Sequence, residues 1–386
     1  MRVLLLHNRY RAQGGEERVV RAQADLLVRH GHTVELLERD SASLSRGRAA
    51  AGLLGGGIAA DAVAAAVRRM RAEIVHAHNV HPTFGWRALA AARAAGAATL
   101  LQLHNFRLYC AIAVAYRDGR PCHECRGLDT RPGVRHRCRE SPGEAVVYAA
   151  GLALQQRRLL GHSDRLIALS ARHLALLGDH GLAPERVSIV PNFVPESAWR
   201  SPNTGVGPGR HALVAGRLVP EKGFDTAIRA AALAGVPLLV AGDGPDGTRL
   251  RALAAELGVE VSFPGWLGGE EMAQALAGAG VVLVPSRCEE AFGYGVLDAI
   301  AAGVPVIASQ RGGLADLTAT VGAVGLDPED PQAWGRTLAA LWTDPVRRRS
   351  LAVQGQVRGR AAFGEAPALE ALLSAYRTAW SRRAAS

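Results

Sequence analysis

Short apolar segments alternate with longer segments of helical periodicity along the first half of the chain. The helical pattern is clearest at Glu17–His30 and Asp61–Arg71. This alternation predicts a doubly wound α/β domain with a mostly parallel sheet. Its strands are predicted at Val3–His7, Thr33–Leu37, Ile74–His78, Ala98–Leu103, Arg165–Leu169 and Val187–Val190.

A second alternating series follows residues 191–210, which are rich in Pro, Gly, Ser and Asn and lack periodicity. That composition favours an interdomain linker. We therefore expect an N-terminal domain at 1–190, a C-terminal domain of similar build at 211–365, and a final helix within 366–386 that packs back towards the N-terminal domain. The second set of strands is predicted at Ala212–Ala215, Pro237–Ala241, Val259–Phe263, Val281–Val284 and Val304–Ala308.

The composition fits two domains with real cores, since the chain has 386 residues and 48% of them are hydrophobic. No apolar run approaches the roughly 20 residues of a membrane span. The N-terminal MRVLLLHNRY becomes polar too soon for a signal peptide and fits a first strand. We expect a cytoplasmic protein.

The net charge of +10 arises from basic residues in the first half of the chain. Such a surface favours an acidic partner, either a phosphorylated or carboxylated small molecule or the anionic inner face of a membrane. Nucleic acid is not expected as a partner, because aromatic residues make up only 5% and no recognition motif is present. Lys222 is the only lysine in the chain. Unless it survives by chance, it marks a place where a compact point charge matters.

Polar, glycine-containing turns follow the predicted strands, and ligands of open α/β sheets bind at the carboxyl ends of strands. Gly14 and Gly15 precede the first helix, where backbone can approach a ligand closely. His76, His78 and His81 are as consistent with a structural role as with ligand contact. The other polar residues after first-domain strands are Asn79, His104, Asn105 and Arg107.

The segment 289–309, EEAFGYGVLDAIAAGVPVIAS, predicts a loop, a helix and a strand. The glycines before the helix leave free N–H groups at its positive end, which suits phosphate. Glu290 and Asp298 flank this turn with carboxylates that suit hydroxyl groups. Amide donors beside carboxylates predict a nucleotide-sugar pocket.

Four motifs together resemble the retaining GT-B glycosyltransferases of family 4 (group 1). They are GGEERV, AGRLVPEKG, GDGP and the pattern E-x-F-G-x4-D-A-x-A-x-G-x-P-V that begins at Glu290. The resemblance implies two Rossmann-like domains facing each other across an interdomain cleft, with acceptor in the N-terminal and nucleotide-sugar donor in the C-terminal domain. The chain departs from the family pattern at Asp298, which stands in place of the second glutamate of the Glu-x7-Glu pair and is one methylene shorter. The second acid of the family binds the ribose hydroxyls of the nucleotide. The shorter side chain of Asp298 weakens the expectation that it does the same.

The resemblance also assigns roles. Arg217 and Lys222 would stabilise the charge that grows on the diphosphate, so that no catalytic metal is required. Glu290 would bind hydroxyls of the donor sugar and His104 would orient donor or acceptor, completing the catalytic set. Acceptor contacts are predicted at Asn79, His81, Asn105 and Arg107. Donor contacts are predicted at Gly14, Gly15, Gly216, Gly242, Trp266, Phe292, Gly293, Tyr294, Gly295 and Asp298, although Trp266 is equally consistent with a packed loop tryptophan.

Four cysteines, Cys110, Cys122, Cys125 and Cys138, lie in or beside a polar insertion at about 107–140. The Cys-x2-Cys spacing is typical of zinc knuckles, so a structural zinc held by all four is one interpretation. Four ordinary thiols in an acceptor-side insertion is the other. Stable disulfides are not expected in a reducing cytosol.

The predicted function is transfer of a hexosyl group from a nucleoside-diphosphate sugar to a hydroxyl acceptor with retention. The acceptor is a polysaccharide, a lipid-linked sugar or a small secondary metabolite, and a lipid-linked acceptor would bring peripheral contact with an anionic membrane. A GT-B nucleotide-sugar epimerase and a non-catalytic nucleotide-sugar binding protein are the alternatives.

Overall fold

A computed structural model describes residues 1–9, 15–200 and 209–385, and it divides into two compact units. The first comprises Met1–Ala115, His123–Asn192 and Ala368–Ser386, and the second Tyr116–Cys122 and Phe193–Pro367. A short piece of the predicted insertion is thus grouped with the second unit, and the end of the chain with the first. The predicted linker falls partly on residues 201–208, outside the described residues.

The first unit contains a six-stranded, all-parallel sheet in the order β2-β1-β3-β4-β7-β8. Its strands are β1 (Arg2–Arg9), β2 (Thr33–Asp40), β3 (Ile74–Ala77), β4 (Ala98–Gln102), β7 (Arg165–Ala168) and β8 (Val187–Ile189). Its helices up to that strand are α1 (Gly15–Arg29), α2 (Arg46–Gly55), α3 (Ala60–Met70), α4 (Gly85–Ala94), α5 (Arg131–Arg135), α6 (Pro142–Gly161) and α7 (Ala171–Asp179).

Alternate side chains along the strands pack into two separate hydrophobic cores, one on each face of this sheet. Leu4, Leu6 and Val75 belong to one core, whereas Val3 and Leu5 belong to the other. The second core also takes side chains from the last helix, α15 (Glu365–Ala384), including Leu372, Tyr376 and Ala379. Strands buried on both faces explain why they are apolar throughout rather than alternating.

The second unit has its own six-stranded parallel sheet, in the order β11-β10-β9-β12-β13-β14. Numbered from β9 this is 3-2-1-4-5-6, the order of dinucleotide-binding folds. The strands are β9 (His211–Ala215), β10 (Leu238–Ala241), β11 (Val261–Gly265), β12 (Ala279–Val284), β13 (Val306–Ser309) and β14 (Val324–Leu326). The helices are α8 (Phe224–Ala234), α9 (Gly247–Glu256), α10 (Gly269–Gly278), α11 (Tyr294–Ala301), α12 (Gly313–Val321), α13 (Pro331–Thr343) and α14 (Pro345–Phe363).

All eleven predicted strands are present to within a few residues, and two Rossmann-like sheets are confirmed. Elements without a clear apolar run were missed, namely β14 and the hairpin of β5 (Tyr116–Arg117) and β6 (Arg120–Pro121). Within the described ranges, no single helix is long and apolar enough to cross a membrane. The consecutive helices α2 and α3 meet that criterion only as a pair bent by 69°.

Truncation of Tyr376 should destabilise the first unit, because its ring is fully buried against strands far away in sequence. We expect Tyr376→Ala to lower the free energy of unfolding by about 3–5 kcal/mol in guanidinium titrations. The matched control is Trp380→Ala on the same helix, whose side chain is 41% exposed and should matter little. Equal losses for the two variants would contradict this packing of α15.

Candidate functional site

The loops after β9 and β12 meet in the second unit. These two strands are neighbours at the point where the strand order reverses, which is where open α/β sheets bind ligands. The β9 loop contains Gly216, Arg217 and a 3₁₀ turn, Pro220–Lys222. Backbone N–H groups of Arg287 and Cys288, in the β12 loop, both donate to the carbonyl of Glu221, at 2.8 and 3.2 Å. The two loops are therefore fixed to each other by backbone.

Lys222 and Glu290 form an ion pair between these loops, with 2.8 Å from Nζ to Oε1. The hydroxyl of Ser286 also donates to Glu290. The side chains are only 32% and 17% exposed. Burial opposes both charges, but the mutual attraction outweighs it, so the pKa of Lys222 is raised and the pKa of Glu290 is lowered. Both groups are charged at neutral pH, as the predicted catalytic roles require.

Arg217 lies at the edge of this pair. Its guanidinium is 3.5 Å from the carboxylate of Glu221, and its side chain is 58% exposed. Glu221 also raises the pKa of Lys222. It therefore lies between the two predicted cations, a position that sequence reasoning missed because nothing distinguishes this glutamate from a solvated one.

The predicted phosphate turn is the N-terminus of α11. Gly293 precedes the helix with φ +119°, and Tyr294 and Gly295 form its first turn. Phe292 is only 4% exposed and packs edge-on against Phe363, with ring centroids 5.6 Å apart. It anchors the turn, which leaves little of its ring for ligand contact. Asp298 is a half-buried residue of the same helix.

Two glycines that sequence reasoning missed support the Glu290 turn from behind. The N–H of Gly313 donates to the carbonyl of Glu290 at 2.6 Å. A Cβ at Gly312 would lie 2.6 Å from that same carbonyl oxygen, and one at Gly313 would overlap the carbonyl of Ala291. The pair Gly-Gly at the start of α12 was a readable signal, because adjacent glycines often mark close backbone approach.

The remaining predicted donor residues lie at neighbouring strand ends. Gly242 follows β10 with φ +141°, and a Cβ there would overlap the carbonyl of Gly216, so Gly242 serves the close backbone approach of these two strand ends. Trp266 follows β11, and its backbone N–H donates to the carboxylate of Asp243 at 2.9 Å. Its side chain is 56% exposed and so is not tightly packed, and donor contact by Trp266 stays a prediction.

A polar pocket in the first unit collects the residues predicted for the acceptor. Three of these side chains are held by hydrogen bonds within the unit. Asn79 donates to the carbonyl of Asn8 at 2.6 Å, Asn105 accepts from the N–H of Arg107 at 2.8 Å, and Arg107 donates to the carbonyl of Ala111 at 2.6 Å. Glu16 and Gln102 were missed as lining residues. The polar lining consists of Glu16, His78, Asn79, His81, Gln102, His104, Asn105 and Arg107.

The histidines of this pocket are neutral. Burial lowers the pKa of His81 to about 3, and it lowers the pKa of His78 and His104 well below the usual value. Neighbouring histidines lower the pKa of His78 and His104 further. The imidazoles of this pocket are therefore neutral hydrogen-bonding groups, and they lie beside the carboxyl group of Glu16 and the guanidinium of Arg107.

Gly14 lies outside the described residues, while Gly15 is the first residue of α1. The cysteines Cys110, Cys122, Cys125 and Cys138 are all half-buried. Within residues 1–9, 15–200 and 209–385, no group of three His, Cys, Asp or Glu side chains is placed to hold a metal. This arrangement does not fit a four-thiolate zinc site, and structural zinc stays a prediction that metal analysis of the purified protein would decide.

Two family models match consecutive parts of the chain. The one described as Glycosyltransferase Family 4 matches residues 13–197, and the one described as Glycosyl transferases group 1 matches residues 198–358. The chain belongs to glycosyltransferase family 4 (group 1). The family resemblance carried by the four sequence motifs is thus confirmed.

Curated members of the family align with part of this glycosyltransferase family 4 chain. The D-inositol 3-phosphate glycosyltransferase of Acidothermus cellulolyticus is 32% identical over 59% of this chain and 57% of its own length. A GDP-mannose-dependent monoacylated alpha-(1-6)-phosphatidylinositol monomannoside mannosyltransferase of Corynebacterium glutamicum is 33% identical over 36% of this chain and 40% of its own. The chain thus spans less than two thirds of the length of these relatives.

Solved structures match over the full family 4 chain. Sucrose-phosphate synthase from Thermosynechococcus elongatus superposes with a TM-score of 0.72 at 19% identity, covering 100% of both chains. Anabaena Alr3699/HepE in complex with UDP and glucose gives 0.65 at 18% identity, covering 98% of this chain and 100% of its own. At such identities the likeness concerns the fold, and the GT-B class is confirmed.

A methyl group at Gly313 should displace the Glu290 turn, since it would overlap the backbone of Ala291. We expect Gly313→Ala to destabilise the second unit by about 1–3 kcal/mol, as overpacking does, in urea titrations. The control is Gly269→Ala, also the first residue of a helix, where a Cβ meets nothing within 4 Å. An unchanged midpoint for Gly313→Ala would show that the turn is not held from this side.

Proposed function

We propose that this chain is a retaining, metal-independent glycosyltransferase that moves a hexosyl group from a nucleoside-diphosphate sugar to a hydroxyl acceptor. The observation that carries the proposal is the Lys222–Glu290 ion pair at the reversal of strand order in the second unit. Membership in glycosyltransferase family 4 supports it.

The donor half of the mechanism follows from charge. Cleavage of the bond between sugar and diphosphate leaves negative charge on the phosphate oxygens. Lys222 and the exposed Arg217 stabilise that charge, together with the N–H groups of the first turn of α11. Two cations supply the neutralisation for which other enzymes use a metal ion. Glu290 keeps Lys222 protonated and binds hydroxyls of the sugar.

The acceptor half uses the polar pocket of the first unit. The acceptor hydroxyl attacks on the face that the diphosphate leaves, and the leaving phosphate oxygen takes its proton, so the configuration is retained. No protein base is required. This agrees with the low pKa values of His81 and His104, whose neutral rings orient hydroxyl groups by hydrogen bonding.

The names of relatives support the proposed class of acceptor. The names of two relatives specify D-inositol 3-phosphate and a phosphatidylinositol mannoside, both phosphate-bearing acceptors. Arg107 in the pocket and the basic excess of residues 1–200 suit an acidic acceptor, small or lipid-linked. Peripheral contact with an anionic membrane belongs to the lipid-linked version, and co-sedimentation with anionic vesicles at low salt separates the two.

Loss of either member of the ion pair should abolish most of the transfer. We expect Lys222→Ala to lower kcat by about 10²–10³-fold, by analogy with removal of an oxyanion donor. Glu290→Ala should lower it similarly, because Lys222 loses its partner. The assay is release of nucleoside diphosphate in the presence of acceptor. Arg336→Ala, an exposed cation on α13 of the same unit, is the control. Full activity in both pair variants would refute the assignment.

Reaction of the nucleotide-sugar donor should require an acceptor and should not require a metal ion. We expect NMR spectra of UDP-glucose or GDP-mannose with the protein alone to show no new sugar epimer, and acceptor-dependent transfer to persist in EDTA with its rate unchanged. Accumulation of an epimer without acceptor would favour the epimerase instead. Donor binding with neither transfer nor epimerisation across acceptors would favour the non-catalytic binding protein. Loss of rate in EDTA would overturn metal independence alone.

A further inference from the structure

His104 is hydrogen-bonded to a second histidine in the first unit. The Nδ1 of His78, just after β3, lies 2.9 Å from the Nε2 of His104, just after β4. The rings are stacked, with centroids 5.2 Å apart and planes inclined by 24°. Two nitrogens at this distance share one proton, because one must donate and the other accept.

The ring of His78 has little freedom to turn. It packs against His76 with centroids 4.3 Å apart, and His7 contacts it edge-on at 6.5 Å. His76 is itself held by the hydroxyl of Tyr376 on α15, 3.0 Å from its Nδ1. His78 is 3% exposed. The orientation of Nδ1 towards His104 is therefore restricted by packing against the rings of His76 and His7.

The direction of the shared hydrogen bond follows from the other nitrogen of His78. Its Nε2 is buried and has no hydrogen-bond partner among the described residues. If Nε2 carried the proton, a buried N–H would be left unpaired, which native structures avoid more strictly than an unpaired acceptor. The proton of His78 thus belongs on Nδ1, which donates to Nε2 of His104. Neutral His104 must then carry its own proton on Nδ1.

We propose that His78 is a positioning residue that holds His104 in the Nδ1–H tautomer. Neutral histidine in water favours the Nε2–H form, so this tautomer is imposed by the fold. His104 lines the pocket, and its Nδ1–H then donates to a hydroxyl oxygen of donor or acceptor there. This use of the tautomer rests on the proposed function, whereas the tautomer itself does not.

The test is the tautomeric state of His104 in the full-length protein labelled with ¹³C,¹⁵N-histidine. His104→Ala assigns the resonance by its loss. We expect wild-type His104 to show ¹⁵N shifts of a protonated Nδ1 and an unprotonated Nε2, and His78→Phe to shift it to the Nε2–H form. His78→Asn, whose amide can donate from nearly the same position, should restore the Nδ1–H form. His180→Gln, another buried histidine of this unit, should leave the resonance unchanged.

Kinetics provides the functional readout. His78→Phe should lower kcat by about tenfold, the size of one hydrogen bond, and His78→Asn should recover most of that loss. An Nε2–H tautomer of His104 in the wild type would overturn the inference without any variant, as would identical tautomers in the wild type and His78→Phe. If the tautomers behave as expected but no variant or wild type transfers sugar, the proposed function fails and the positioning stands.

Discussion

The ion pair of Lys222 and Glu290 is the interaction on which the second unit's site depends. Each residue sits in a loop after a central strand, and burial alone would disfavour both charges. Each charge is tolerated because the other is 2.8 Å away, and because Ser286 completes the hydrogen bonding of the carboxylate. The backbone bonds from Arg287 and Cys288 to Glu221, and from Gly313 to Glu290, keep the two loops at that separation. In the proposed mechanism this holds a cation in place before phosphate binds, so little reorganisation is needed when charge develops.

The first unit differs from the second because its buried histidines are neutral. Its strand ends hold His7, His76, His78 and His104 close together. Burial keeps His76, His78 and His104 neutral, and it lowers the pKa of His76 to about 3. Neutral imidazoles donate and accept hydrogen bonds without attracting the diphosphate. The ion pair in one unit and the neutral imidazoles in the other match the two tasks of the proposed transferase, stabilising a leaving group and orienting an attacking hydroxyl.

Much of this could be predicted from the sequence, for physical reasons that are specific to each element. Buried parallel strands are continuous apolar runs, so all eleven could be located, and the lone lysine pointed to its loop. Other residues of the two sites could not be predicted from the sequence. Glu221, Ser286 and Gln102 are ordinary residues locally. Only the folded loops bring Glu221 to Arg217 and Ser286 to Glu290, and only the sheet places Gln102 in the pocket with His78. The Cys-x2-Cys spacing suggested zinc, yet spacing says nothing of where Cys110 and Cys138 lie, and the described thiols form no metal-binding group.

The central claim is that Lys222 acts on charge that appears in the transition state. The most direct measurement compares donor affinity with rate in Lys222→Ala, using calorimetric titration of UDP-glucose or GDP-mannose, whichever the wild type uses, beside single-turnover transfer. The account predicts that the Kd for the donor rises only a few-fold while the rate of transfer falls by about 10²–10³-fold. A Kd that rises by as much as the rate falls would contradict it, because Lys222 would then only bind the ground state.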